Sequence, residues 1–435
     1  MKYLNDRSKY PSRKTLIAHE KNNNKNEEKI FEQTAHSCLH KIENNNCNNK
    51  CANQIKKIKI ILSAIVIPIL IFTFISVIYL YPSQTAFKKI DPVGRNAKVV
   101  DLQVISMNVK TCVNHSKLTP TQDLLKYAIC ARDSKTGEIV PVHVPKEIIK
   151  NGMNIGDKIK TIKTDSTKSL GTKYSFWDYN RQDVLIICVI IYLIAVVLVA
   201  KFKGLAAIFG LITSVLVLLF FVIPAILQGH NPIFVAVVGA LLMIFLSVYL
   251  AHGVSIRTTI ALLGTIFGLT TTVVLGFASV KMANLSGAIG EEVLQLYAYF
   301  KYLNLQQILI CSIVISCLGA LNDVTITQAS AVWQIYFANP DLTVKDIFVK
   351  SMEVGKDHIA STVYTLAFAY VGSALTTILL VSLVDRNIFD LLNSYNIALE
   401  IVRTLISSLG IVLAIPLTTL FASILVKKTN FEILK

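Results

Sequence analysis

Charge is what this sequence holds least of. Asp, Glu, Lys and Arg make up 16% of its 435 residues, against about a quarter in soluble chains. The deficit is local, because long apolar runs carry almost none and the bases fall between them, which excludes an ordinary soluble fold. It also excludes the nucleic-acid partner that a net charge of +16 would invite, since a nucleic-acid binder gathers its bases on one soluble face. A cysteine framework is missing as well. Eight cysteines in so long a chain do not staple a small scaffold, and Cys188, Cys311 and Cys317 lie in apolar runs as small hydrophobes. No paired carboxylates, Ser/His constellation or phosphate-binding glycine loop appears, so neither an enzyme class nor a cofactor is indicated.

What the chain does have is hydrophobic length. A bilayer core about 30 Å thick is crossed by roughly 20 apolar helical residues. Eight stretches meet that requirement: Ile58–Tyr81, Val184–Ala200, Gly204–Leu227, Ile233–Ala251, Thr258–Val280, Ile308–Gln328, Ser361–Val384 and Leu405–Val426. Pro68, Pro224 and Pro416 fall inside spans, where neighbouring helices satisfy the freed carbonyls. The expected fold is an all-α polytopic membrane protein of about eight transmembrane helices, with a small β-rich domain outside the membrane.

Lysine and arginine collect on cytoplasmic loops. They crowd the segment ending in Lys56, Lys57 and Lys59, and recur at Lys201 and Lys203, at Arg257, at Lys345, Lys350 and Lys356, and at Lys427 and Lys428. The loop Gln228–Pro232 has none. Every second loop agrees, which places both termini in the cytoplasm. The first span is too long for a signal peptide and no small-x-small cleavage site follows it, so it reads as an anchor.

Four regions result: a basic tail over 1–57, an anchor over 58–81, an extracytoplasmic domain over 82–183 and a seven-helix body over 184–435. The Asn- and Lys-rich tail has too few large apolar residues to fold and is expected to be disordered. His36, Cys38, His40, Cys47 and Cys51 within it are zinc-ligand types, although their spacing fits no standard zinc module. In the second soluble region, Val99–Val109, Ala128–Arg132, Glu138–Val144 and Lys158–Thr164 read as strands, with a turn at Ser134–Gly137. Four or five short strands suggest a small OB-like barrel or sandwich, a binding or docking module. Cys112 and Cys130 share it and would pair in an oxidising space.

Polar groups inside spans are costly and therefore candidates for function. Asp323, Thr327, Ser330 and Gln334 fall within about 60° of one another on a helix. Asp357, Ser361 and Tyr364 share a second face, with Thr365 beside it. Facing inward, the two stripes would line a path for a proton or cation. The plainer readings are that Asp323 sits at the water interface and that Asp357 caps its helix. Gly264, Gly268, Thr272 and Gly276 recur every four residues, a small-residue face for close helix packing. After them, Glu291 and Glu292 precede Tyr297, Tyr299, Phe300 and Tyr302, the pattern of an amphipathic interfacial helix.

At these segments the chain resembles the YibE/F-like family of bacterial multi-pass membrane proteins. The resemblance rests on Gly319-Ala320-Leu321-Asn322-Asp323-Val324 with Ser330, on Asn339-Pro340, on Gly355-Lys356-Asp357, on Thr365-Leu366 and on Ala369-Tyr370-Val371-Gly372. Tyr364 stands where the family usually has Asn, and Lys356 where Arg is common. The resemblance implies a bacterial cytoplasmic membrane and the layout of anchor, outer β-rich domain and helical body, but no established activity. The expected function is a permease of unknown substrate that uses the two stripes. The alternative is a non-transporting scaffold or assembly factor whose outer domain docks a protein. The expected partners are the lipid bilayer, a small ion or solute, and such a protein.

Overall fold

The computed structural model describes residues 45–82, 97–108, 112, 128–164, 173–288, 290–383 and 387–428. These form two compact units.

One unit, Leu80–His230 with Tyr249–His252, holds the soluble domain. Strands β1 (Ala97–Ser106), β2 (Ala128–Asp133), β3 (Ile139–His143), β4 (Lys158–Thr164) and β5 (Tyr174–Tyr179) close into a barrel in the order β1-β2-β3-β5-β4. All neighbours are antiparallel except β3 and β5. Period-two alternation drives the closure: Leu102 and Val104 point inward while Asp101 and Gln103 are exposed. They meet Ile129, Ala131, Val142, Ile159 and Tyr174 in one core. The expected turn is present, with Asp133 Oδ1 accepting from the backbone N–H groups of Lys135 and Thr136 and Gly137 at φ 73°. A short helix α2 (Lys146–Lys150) separates β3 from β4. Cys112 and Cys130 form a disulfide with Cα atoms 5.6 Å apart. Sequence inspection did not single out β5, whose aromatic run abuts the next span.

That span begins in α3 (Gln182–Val217), continues through a π-turn at Leu218–Val222 and ends in α4 (Ile223–Leu227). Two spans were expected here, and the element consists of two helical arms joined across a kink. Lys201 lies within it at φ 51°, ψ −131°, outside the helical region. A Cβ on Gly204 would lie 2.7 Å from the Val196 carbonyl oxygen. Residues eight apart are about 12 Å apart along a straight helix, so the chain doubles back at Lys201. The π-turn sits just before Pro224, which has no N–H to offer the preceding turn.

The other unit is helical. It contains α1 (Asn45–Leu80), α5 (Pro232–His252, up to Val248), α6 (Ile256–Met282), α7 (Glu291–Tyr299), α8 (Leu305–Ala338), α9 (Val344–Ser373), α10 (Leu375–Ser382), α11 (Ile388–Leu392) and α12 (Tyr395–Lys428). α1 starts at Asn45, so residues 45–57 are helical where disorder was expected. Its Ile58 and Leu62 pack with Ile260, Trp333, Tyr336 and Val426 in a core shared by α6, α8 and α12. α7 occupies the expected amphipathic segment. The loop before it is tied to α12 by the Gly287 N–H, which donates to the Tyr395 hydroxyl at 2.8 Å. Gly287 has φ 71°, and a Cβ there would strike the Leu305 backbone, so only glycine fits.

Among the described residues, six helices are long and apolar enough to cross a membrane: Lys56–Leu80, Gln182–Leu227, Pro232–His252, Ile256–Met282, Leu305–Ala338 and Tyr395–Lys428. α9 and α10 together make a seventh if a pair bent by 63° is one span.

Candidate functional site

Chemistry at membrane depth is organised by the contact between α6, α8, α9 and α12. A methyl group on Gly264 would overlap the Thr418 hydroxyl, and one on Gly410 would overlap that of Thr272. On Gly268 it would lie 3.0 Å from Ala414 Cβ and 3.1 Å from the Gly410 carbonyl. At Gly276 the nearest atoms, on Ile310 and Ile406, are 3.9 Å away. The small-residue face thus brings α6 against α12, tightest at Gly264, Gly268 and Thr272. Without a hydrophobic force between helices in lipid, such close approach supplies the attraction.

Polar groups fill this contact. The Thr265 and Thr325 hydroxyls, both buried, meet at 2.6 Å between α6 and α8. Gln328 is fully buried; its Nε2 donates to the Ser351 carbonyl and to Thr419 Oγ1, each at 2.8 Å. Gly355 makes room for it, since a Cβ there would sit 3.1 Å from that nitrogen. Gln328 Oε1 and the hydroxyl oxygens of Ser351, Ser407, Ser408 and Ser423 are buried without a partner. Apart from Gly355, which belongs to a motif of the resemblance, none of these residues was singled out from the sequence. Periodicity marks the buried face only once one anchor is fixed, and here the anchor is the glycine face of α6.

The sequence stripes lie elsewhere. Asp323 and Gln334 are exposed, and Thr327 and Ser330 are half-buried. The two hydroxyls donate to carbonyls four residues back, on Asp323 and Ile326. Asp357, Ser361, Tyr364 and Thr365 are exposed too, and Thr365 Oγ1 donates to the Ser361 carbonyl. Both stripes were expected to face the bundle interior, and both face out of it. The phase is set by packing: α8 buries Leu321, Thr325, Gln328, Val332 and Tyr336, and Asp323 is 200° around the helix from Thr325. Among the described residues, neither Asp323 nor Asp357 takes part in an ion pair. The helix carrying Asp357 is capped fourteen residues earlier, at Thr343, which forms a capping box with Asp346. Asp357 is therefore a mid-helix residue and not a cap.

His36, Cys38 and His40 lie outside the described residues, and Cys47 and Cys51 fall on the first turns of α1. Among the described residues no group of three or more His, Cys, Asp or Glu is arranged to hold a metal.

A further polar group sits where α9 breaks at Ala374. Glu400 and Arg403 pair at 2.9 Å, each about four-fifths buried, and the Arg403 guanidinium lies 5.9 Å from the Tyr370 ring centroid. They precede the apolar run that marked the last span, which is why span-finding passed them by.

The family described as YibE/F-like protein matches residues 188–428, more than half of the chain. This chain belongs to the YibE/F-like family. In this YibE/F-like protein the match takes in α5–α12 and nearly all of α3, with every motif segment, whereas α1 and the barrel lie outside it. The family and the apolar helices together make the chain a membrane protein. No characterised protein and no solved structure matches it.

Proposed function

We propose that this YibE/F-like protein is a permease of the cytoplasmic membrane, without enzymatic activity, that passes a proton or small cation along the exposed face of α8 and α9. One observation carries the reading. Asp323 lies in the middle of an apolar helix, about 27 Å along the axis from Leu305 and about 22 Å from Ala338, and among the described residues it is exposed with no ion-pair partner. A carboxylate at that depth is not stable against lipid and must meet water, an ion or a polar surface. The exposed Asp357, Ser361 and Thr365 extend the same chemistry onto α9.

The topology that goes with this reading has eight crossings: α1, the two arms on either side of Lys201, α5, α6, α8, the bent α9–α10 pair and α12. The turn-back at Lys201 supports counting two arms, and the distribution of Lys and Arg supports cytoplasmic termini. The barrel then lies outside, where its disulfide is stable, and its strand order supports an OB-like assignment.

The test is flux in proteoliposomes reconstituted with the full-length protein. Asp323→Asn is expected to abolish a proton or cation flux while the protein still purifies as a single species. Unchanged flux in the variant, or none for any ion in the wild type, would remove the reading. The scaffold alternative is favoured by the barrel's exposed Val99, Ile155 and Trp177, which suit a protein partner. Cross-linking from the barrel to one strong partner, with activity insensitive to both aspartates, would select it.

A further inference from the structure

One exposed apolar residue of the barrel stands at the level where lipid begins. Strand β4 starts beside the end of β5: Ile159 pairs with Tyr179, and the Asn180 N–H donates to the Lys158 carbonyl. Two residues after β5 the chain enters α3. Lys158 Nζ meets Asp183 Oδ2 at 2.6 Å, and Asp183 directly precedes the uncharged run Val184–Ala200. Lys158 therefore marks the level at which α3 enters the membrane. Three residues of chain span at most about 10 Å, so the backbone of Ile155 lies within that distance of Lys158.

The loop that carries Ile155 is pinned at both ends. Met153 is buried in the barrel core. The Gly156 N–H donates to the Val104 carbonyl, and the Val104 N–H donates to that of Asp157. Asp157 Oδ2 accepts from the Asn154 N–H at 2.8 Å. Gly152 and Gly156, at φ 113° and 99°, turn the chain in conformations that other residues rarely adopt. Ile155 is left at the tip, 67% exposed. Just before the loop, α2 presents Lys146 and Lys150, exposed and in no ion pair among the described residues.

We propose that the Gly152–Asp157 loop docks the barrel on the bilayer. Ile155 enters the boundary between headgroups and acyl chains of the leaflet that α3 pierces, and Lys146 and Lys150 lie against anionic headgroups. Apolar burial and attraction to anionic lipid add at such an interface. A tip within about 10 Å of the entry level leaves no more than one helix diameter beneath it, which favours lipid over a protein partner. The inference requires only that α3 enters the membrane. It does not depend on the permease reading, because docking carries no flux.

The test is photo-crosslinking of the full-length protein in vesicles of phosphatidylcholine and phosphatidylglycerol. A benzophenone amino acid replaces Asn151, an exposed neighbour of the tip. In a control it replaces Val99, which is also exposed but lies five residues before Val104 on β1, about 17 Å along the strand. Mass spectrometry should find lipid adducts at position 151 and none at 99. Ile155→Asp should lower capture at 151 about tenfold, the value of one large aliphatic side chain left undocked. Lys150→Gln should lower it about fivefold, and not at all in phosphatidylcholine alone. An intact Cys112–Cys130 disulfide, read as resistance to thiol alkylation, guards against misfolding of either variant. Equal lipid capture at 151 and 99, capture that survives Ile155→Asp, a Lys150 effect unchanged without phosphatidylglycerol, or a protein adduct in place of lipid when the 151 probe is used in cell membranes would each overturn the proposal.

Discussion

The two sides of α8 carry similar numbers of polar groups and treat them in opposite ways. On the inner side, Thr325 and Gln328 are fully buried and hydrogen-bonded across to α6, α9 and α12. On the outer side, Asp323 and Gln334 are exposed, and the hydroxyls of Thr327 and Ser330 return their protons to their own helix. Inner polarity therefore joins helices, whereas outer polarity is left available. The lesson is that polarity in a span does not reveal function until it is known which face the packing has consumed.

The comparison can be broken hardest at Gln328. Gln328→Glu puts an unpaired charge between three helices, and a loss of several kcal/mol is expected, read as failure to purify as a monodisperse species. Gly268→Leu forces side chain into the contact with Leu321, Ala414 and Gly410 and should cost about 1–3 kcal/mol, seen as a lower unfolding midpoint. Thr265→Val removes the bond to Thr325 and the one its hydroxyl gives the Ala261 carbonyl on its own helix, and the interhelical bond should account for about 0.6 kcal/mol, the average for such bonds in membranes. Asp323→Asn, on the outer side, should shift stability least, within about 0.5 kcal/mol, even where it abolishes flux. A midpoint drop for Asp323→Asn as large as that for Gly268→Leu would erase the distinction between the faces.

The barrel supplies the contrasting case of an acid that structure has claimed. The Lys135 N–H beside Asp133, followed by the N–H and hydroxyl of Thr136 and the Lys163 charge, holds its carboxyl below the usual range against the opposing effect of burial. A depressed native value stabilises the fold above the unfolded-state pKa and is lost as protons bind. Hydrogen-exchange protection of the Ser134–Gly137 turn, taken relative to the intrinsic rate at each pH, should therefore fall as the pH drops below about 4, and Asp133→Asn should flatten that response.

Much of the fold was legible in the sequence because apolar length and period-two alternation are local signals. Leu102 and Val104 alternate with Asp101 and Gln103, and β1 could be found from them; α7 could be found from Glu291, Glu292 and the tyrosines. Gly264, Gly268 and Thr272 announced close packing by their spacing alone. The rotation of α8 was not local. Asp323 and Gln328 lie on one helix, and only the glycine face of α6 and the room left by Gly355 decide which is buried. The pair Glu400–Arg403 was missed because its meaning depends on the break at Ala374, twenty-six residues earlier and on another helix. The two arms about Lys201 were legible as two apolar runs because hydropathy registers the bases between them, whereas the sharpness of the turn there, at Lys201 φ 51°, is a backbone property that hydropathy does not carry.

The reversal at Lys201 also bears on how the protein reaches its membrane. Only Lys201, Phe202 and Lys203 separate two apolar runs, and Gly204 lies against Val196 as the chain turns. In the proposed eight-crossing topology this link holds the two arms side by side, so they are expected to enter the bilayer as a pair and to share the cost of placing either. A charge introduced into one arm would show its effect as the absence of its neighbour.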